Sequence, residues 1–382
     1  MTQQEQDTAE ALRRIREARE TRAIALDLSD LDFPQNLLPE LKDLTWLQQL
    51  NLHSCYQVTD LTPLAALTAL QRLDLFGCRN VTDLTPLAAL TALQQLDLSF
   101  CDKVTDLTPL ASLAALEELD LSYCKRIIDL TPLAALTALQ QLSLESCDKV
   151  TDLTPLAALT ALQQLDLNSC DKVRDLTPLA ALTALQQLSL ESCDKVTDLT
   201  PLAALAALQQ LNLNLCDKVR DLTPLAALTA LQRLDLNFCK EISDLTPLAA
   251  LTALQQLDLG GCDKVSDLTP LAALTALQKL DLSCCTQNLA FAPLLPLLPT
   301  LKNLRLYQAS FQDLPSEICG EDWNENALSA VRAHYVDLKD GQTADAEVKV
   351  LFLGNGGAGK TQLCLRLSGL DYEPGLSTHG FR

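Results

Sequence analysis

Eleven cysteines recur every 23 residues, from Cys55, Cys78 and Cys101 to Cys285, and this spacing constrains the fold more than any other property of the chain. A unit this short cannot enclose its own core, so each copy must bury its apolar side chains against its neighbours in a stack. One copy reads Leu93-Gln-Gln-Leu96-Asp97-Leu98-Ser-Phe-Cys101-Asp-Lys-Val104-Thr-Asp-Leu107-Thr108-Pro109-Leu110. Leu96 and Leu98 alternate with Gln95, Asp97 and Ser99, the pattern of a short strand with one buried and one solvated face. Val104 and Leu107 continue the inward row. A Thr-Pro pair then recurs from Thr62-Pro63 to Thr269-Pro270. Threonine suits an N-cap and proline the first helical position, and the leucines spaced by three in PLAALTAL fit one or two turns of 3₁₀ or α-helix. A coiled coil is excluded, because the period is not seven and proline interrupts every unit.

On these residues the chain resembles bacterial leucine-rich-repeat proteins over about Ala23 to Leu314, with degenerate copies at Leu26-Asp-Leu28 and Leu304-Arg-Leu306. The resemblance implies an α/β solenoid with parallel strands on the concave side and short helices on the convex side. Most such repeats carry an asparagine in the turn after the strand. Here cysteine takes the slot, as a small, weakly hydrogen-bonding residue suited to a buried ladder. Residues 1–22 are expected to form a helical cap, with Thr8 to Arg22 amphipathic, Leu12 and Ile15 facing the first coil and Ala18 beside them. The solenoid is expected over 23–316.

The chain holds 14 cysteines, yet their spacing is that of the repeat and not that of zinc sites, which use close CxxC-type pairs. Stacked cysteines would lie ~5 Å apart, close enough for a bridge. A reduced ladder is the expectation for a cytoplasmic chain. That compartment follows from the polar first twenty residues and from the lack of any run near the ~20 apolar residues that span a bilayer. The net charge of −20 argues against nucleic acid or an anionic membrane as partner. The three histidines, His53, His334 and His379, pair with no nucleophile at a recognisable spacing, and no catalytic residues are assigned.

Binding should therefore lie on the repeat face, with a protein as partner. Acids recur there, as Asp74, Asp97, Asp120, Asp166, Asp235, Asp258 and Asp281, with Glu145 and Glu191 nearby. They read either as an acidic trough for a basic polypeptide or as a solvated face copied along with the repeat. Lysines past the cysteines, such as Lys103 and Lys149, would dilute the field. Departures from sameness carry more information: Phe76, Phe100, Tyr123 and Phe238 replace small polar residues, and Arg72 and Arg233 replace glutamine. Aromatic and arginine side chains dominate interface energetics. Phe76, Phe100 and Tyr123 fall in consecutive coils, so they either form one patch or merely cover coil edges.

After Leu314 the periodicity stops. Residues 317–346 read as a linker with a helix from about Asn324 to Lys339, and residues 347–382 as the start of another domain. Glu347 to Leu353 has the pattern of a buried strand and runs into Gly354-Asn355-Gly356-Gly357-Ala358-Gly359-Lys360-Thr361. This is the P-loop pattern GxxxxGK[ST] between a strand and a helix, in which backbone N–H groups close around phosphate oxygens. Lys360 would reach the β- and γ-phosphates and Thr361 a Mg²⁺ ion.

Repeats, helical connector and P-loop in this order resemble the Roco family, in which a Ras-like GTPase called Roc follows the repeats. The resemblance implies GTP or GDP with Mg²⁺ as cofactors, and Thr378, in a segment similar to switch I, as a second Mg²⁺ ligand. Phe381 departs from the isoleucine often found there. Motifs for the second switch and for guanine do not follow, so the chain is expected to be the N-terminal part of a larger Roco-like protein or the product of a truncated reading frame, without turnover of its own. Three functions remain in view: a scaffold coupled to a GTP switch, a P-loop NTPase with the repeats as sensor, and a repeat-only binding protein.

Overall fold

The computed structural model describes residues 2–320 and 322–340. Among them, thirteen three-residue strands, from β1 (Ala25–Asp27) to β13 (Asn303–Arg305), form one parallel sheet in strict chain order. Register advances by one repeat per strand. Leu73 pairs with Leu96 and Leu96 with Leu119, and the end pairs Leu26–Leu50 and Leu280–Leu304 lie one residue further apart in sequence. The degenerate end copies are thus part of the same sheet.

Each coil returns through a 3₁₀ turn, such as Thr108–Ser112, and the sequence dictates that choice. Leu98, Cys101, Val104, Leu107, Leu110, Leu113, Leu116 and Leu119 follow one another at intervals of three, and each is at most 2% exposed. A helix of three residues per turn puts all of them on one side, whereas 3.6 residues per turn would rotate them away. The backbone follows suit. Leu110, Leu113 and Leu116 each donate to the carbonyl three residues back at 2.9 Å. Stacked coil on coil, these side chains form one continuous aliphatic core.

The cap of that turn differs from the sequence expectation. Thr108 is the first helical residue, and the residue before it, Leu107, offers no side-chain cap. The acceptor comes from Asp106, whose Oδ1 takes the Thr108 N–H at 2.8 Å. The same bond recurs from Asp60–Thr62 to Asp267–Thr269. It satisfies an N–H that the turn leaves open, and it holds carboxyls such as Asp60, Asp106 and Asp152 below their ordinary range.

The thiols of the ladder are reduced and buried. Each Sγ–H donates to a leucine carbonyl of the preceding coil, as in Cys101 to Leu75 at 3.3 Å and Cys124 to Leu98 at 3.1 Å. The same carbonyls also accept a backbone N–H within their own turn, as Leu75 O does from Cys78 N and Leu98 O from Cys101 N, both at 3.0 Å, so each thiol adds a second, weak bond that ties one coil to the next. Burial pushes the thiols up, to about 12 for Cys55, Cys124 and Cys170.

The ends of the stack are covered differently. Helix α1 (Gln3–Thr21) begins with a capping box between Thr2 and Glu5 and buries Ala11, Ile15 and Ala18. Those residues lie at i, i+4 and i+7 on one helix face, so Ala11 holds the innermost row and Leu12, expected there, is only half-buried. At the other end Asn326 satisfies the open edge of β13. Its Oδ1 accepts from Leu304 N at 3.0 Å, its Nδ2 donates to Lys302 O at 3.0 Å, and Ala327 N donates to Leu304 O at 2.8 Å. Helix α2 (Leu328–Asp340) starts there, four residues later than the sequence pattern suggests, because residues 326–327 prolong the sheet pairing first. Leu328 and Val331 are buried. Arg332 donates to Leu301 O at 3.0 Å and to Leu298 O.

Candidate partner-binding face

The outward residues of the strands line one continuous trough of about 1400 Å³. Arg72, Asp74, Asp97, Asp120 and Arg233 all lie on it. The last residue of each strand forms a row across the sheet in which Asp74, Asp97 and Asp120 are neighbours, as are Asp235, Asp258 and Asp281. Ten carboxylates line the trough against Arg72, Arg233, Lys279 and Arg305. The lysines expected to dilute the field, Lys103 and Lys149 among them, are not part of its lining.

Each of these aspartates also closes a turn. Asp97 Oδ1 accepts the Ser99 N–H at 2.8 Å, Asp166 that of Asn168 at 2.8 Å, and Asp258 that of Gly260 at 2.9 Å. The turn needs an oxygen and not a charge. Asn51 and Asn212 make the same bond with a neutral amide, to His53 N and Asn214 N, both at 2.9 Å. The charge is therefore extra, and it is unfavourable. Burial, with help from neighbouring acids, pushes the carboxyls of Asp97, Asp166 and Asp235 up, and burial together with Asp281 pushes Asp258 to about 7.

A second row borders the trough. Phe100 and Tyr123 stack with ring centroids 4.2 Å apart, and Phe76 meets Phe100 at 5.1 Å with its ring tilted by 53°. The three aromatics of consecutive coils thus touch. A fourth ring joins them, since His53 stacks on Phe76 at 4.2 Å with Nδ1 3.8 Å from Asp74. Sequence reading set His53 apart from any site. Its position two residues before Cys55, matching Phe76 before Cys78, was the available signal. Tyr123 donates its hydroxyl to Glu145 at 2.8 Å. Phe238 stands apart from this ladder, 39% exposed beside the later coils.

The P-loop residues Gly354, Asn355, Gly356, Gly357, Ala358, Gly359, Lys360 and Thr361, and Thr378 with them, lie outside the described residues. Among the described residues no cluster of metal-ligating side chains occurs, and no helix is long and apolar enough to cross a membrane.

A family model of paired leucine-rich repeats matches residues 68–112, 114–158 and 229–273. Together with the uninterrupted ladder of parallel coils, this decides the assignment. The chain belongs to the leucine-rich-repeat family. Solved structures of such repeats share its architecture. An internalin (inlF) from Listeria monocytogenes is 29% identical, with 82% of this chain and 92% of that one covered and a TM-score of 0.69. A leucine-rich-repeat protein from Leptospira interrogans is 23% identical, with coverage of 79% and 89% and a TM-score of 0.58. The functional domain of InlJ from Listeria monocytogenes, which includes a cysteine ladder, is 22% identical, with coverage of 84% and 78% and a TM-score of 0.50. No curated protein matches the sequence. For a leucine-rich repeat, the trough and its border are the sheet face left uncovered by the convex turns.

Proposed function

We propose that the chain is a protein-interaction scaffold whose trough holds an extended, basic polypeptide segment. One observation carries this reading: the strand-end carboxylates are charged where Asn51 and Asn212 do the same structural work uncharged. Fold stability alone gives no reason to gather acids whose carboxyls are pushed up by burial and, beyond that, by one another. A polycation relieves that repulsion on binding, and the same field repels nucleic acid. A cytoplasmic setting suits a reduced thiol ladder.

The test replaces Asp97, Asp120, Asp166 and Asp235 together by asparagine, the residue already used at two equivalent positions. Binding of a fluorescein-labelled lysine-rich peptide, followed by anisotropy at low salt, should weaken at least ~10-fold while the circular dichroism spectrum stays the same. Undiminished binding would reject the trough as the site.

A second reading concerns the C-terminal segment and rests on the motif Gly354-Asn-Gly-Gly-Ala-Gly359-Lys360-Thr361. Its glycines and lysine suit a nucleotide triphosphate and Thr361 suits Mg²⁺, with Thr378 as a further ligand in the Roco-like reading. On that reading the repeats are the sensing arm of a GTP switch. Binding of a fluorescent GTP analogue with Mg²⁺ to the chain, and its loss in Lys360→Ala, is the corresponding measurement.

A further inference from the structure

The residue just before each laddered cysteine has a left-handed backbone, with φ of 58° at Phe100, 60° at Tyr123, 55° at Ser169 and 66° at Gly261. Stacking imposes this conformation. The N–H of that residue donates to a carbonyl of the next coil, as Phe100 does to Ser122 at 2.8 Å and Ser146 to Asn168 at 2.8 Å. L side chains are disfavoured there by ~1 kcal/mol or more, and bulky ones fit worst. Most coils accordingly place serine or glycine at the position. Four place Phe100, Tyr123, Leu215 and Phe238 there instead. The strain brings little burial in return, since Leu215 and Phe238 remain 38% and 39% exposed and the other two are only half-buried. Strained side chains left partly or largely exposed in this way mark contact sites.

They fall into two groups. Phe100 and Tyr123 end the aromatic ladder, and Leu215 and Phe238 occupy adjacent coils further along. Phe238 leans over the next coil, where any side chain in place of Gly261 would meet its ring, a Cβ there lying 2.4 Å from a ring carbon. Between the groups the row holds three serines, and Glu145 and Glu191 stand beside it. Parallel strands lie ~4.8 Å apart, so the four coil steps from Tyr123 to Leu215 span ~19 Å. An extended peptide advances ~3.3 Å per residue and covers that distance in about six residues. An even number matters, because side chains i and i+6 of an extended segment point the same way.

The geometry points to a two-anchor docking strip along the border of the trough. Its occupant is an extended basic segment with two large apolar side chains about six residues apart, one seated against Tyr123 and one against Leu215, the inner members of the two pairs. Basic residues between the anchors face Glu145 and Glu191. This deepens the proposed trough function, and its test separates the two.

Three labelled ten-residue peptides of alternating lysine and serine serve as probes of the full chain: one without phenylalanine, one with phenylalanine at positions 2 and 8, and one with it at positions 2 and 4. The 2/8 peptide should bind about tenfold more tightly than the plain peptide, and the 2/4 peptide at most about threefold more tightly. Phe100→Ser with Tyr123→Ser, or Leu215→Ser with Phe238→Ser, should erase the advantage of the 2/8 peptide over the plain peptide. Serine is the residue other coils carry at this position, so the backbone turn is retained. Equal gains for both spacings, or a 2/8 advantage that survives either serine pair, would overturn the strip while leaving the trough intact. A plain peptide that does not bind, beside a 2/8 peptide that binds and responds to both serine pairs, would instead remove the trough and uphold the strip.

Discussion

Asp258→Asn should stabilise the protein at pH 8 and lose most of that advantage at pH 5. Asp258 ends its strand between Asp235 and Asp281, accepts the Gly260 N–H at 2.9 Å and has its carboxyl pushed up to about 7 by burial and by Asp281. Arg305 offsets part of this, but it also pairs with Asp281 at 3.5 Å. Between the ordinary value of 3.8 and about 7, the folded chain holds a proton that the unfolded chain has released. Stability therefore falls as pH rises through this window, and the cost is fully present above pH 7. At ~1.4 kcal/mol per tenfold, the cost is ~4 kcal/mol at pH 8 and ~2 kcal/mol at pH 5 as a ceiling. Relaxation and water around a half-buried group reduce these by about half. Asparagine keeps the acceptor and removes the charge, so the variant should gain ~2 kcal/mol at pH 8 and under ~1 kcal/mol at pH 5. Urea unfolding followed by circular dichroism at both pH values measures the difference. At pH 5 the exposed turn aspartates, held below 3.8, still contribute fully, since their share is lost only as pH falls further. Equal gains at the two pH values, or no gain at pH 8, would refute the claim that the charge is surplus to the turn.

The reduced ladder predicts a sharp contrast in thiol reactivity. In a Cys364→Ser background the native chain should release one equivalent of chromophore from a disulfide reagent, from half-buried Cys284, with the other twelve cysteines reacting only in denaturant. Native labelling along the ladder would contradict the buried Sγ–H···O=C bonds. The left-handed row predicts opposite outcomes at one site. Ser169→Gly should leave stability unchanged or raise it by up to ~1 kcal/mol, whereas Ser169→Val should lower it by ~1–2 kcal/mol. Chemical unfolding of both variants decides the point, and a valine that is tolerated as well as glycine would remove the strain argument.

Stacking, strand register and the cysteine ladder were legible because the repeat writes the interior out eleven times. The spacing of three from Leu98 to Leu119 even carries the 3₁₀ geometry, although a single PLAAL segment leaves α-helix equally open. Two kinds of information were not legible. The first is which of two nearby polar residues caps a turn: Asp106 and Thr108, on either side of Leu107, both qualify by type, and only the backbone direction selects Asp106. The second is any backbone conformation imposed by the neighbouring coil. Serine, phenylalanine and leucine at one position give no hint of a left-handed φ, because the constraint comes from the hydrogen bond to the next strand and not from the residue. His53 was overlooked for a related reason. A lone histidine carries no pattern, and its meaning comes from the ring stacked upon it in the following coil.

An array of near-identical coils makes each one a control for the others. Where every coil carries the same residue, stacking suffices as the explanation, as it does for the leucines and cysteines. Where some coils carry what stacking does not ask for, the chain bears a cost that its own fold does not repay. Two such costs occur here on adjoining rows. Carboxylates stand in the trough where asparagine would serve, and large apolar groups stand on its border where serine would serve. Neither cost implies the other, since charge repulsion and backbone strain are physically independent. Copying of the repeat would have spread both evenly, yet the aromatics occupy only a few coils and Ser143, Ser189, Asn51 and Asn212 interrupt the acids. A ligand that contributes positive charge to one row and apolar side chains to the other offsets both at once, and a basic segment with spaced apolar anchors has that chemistry.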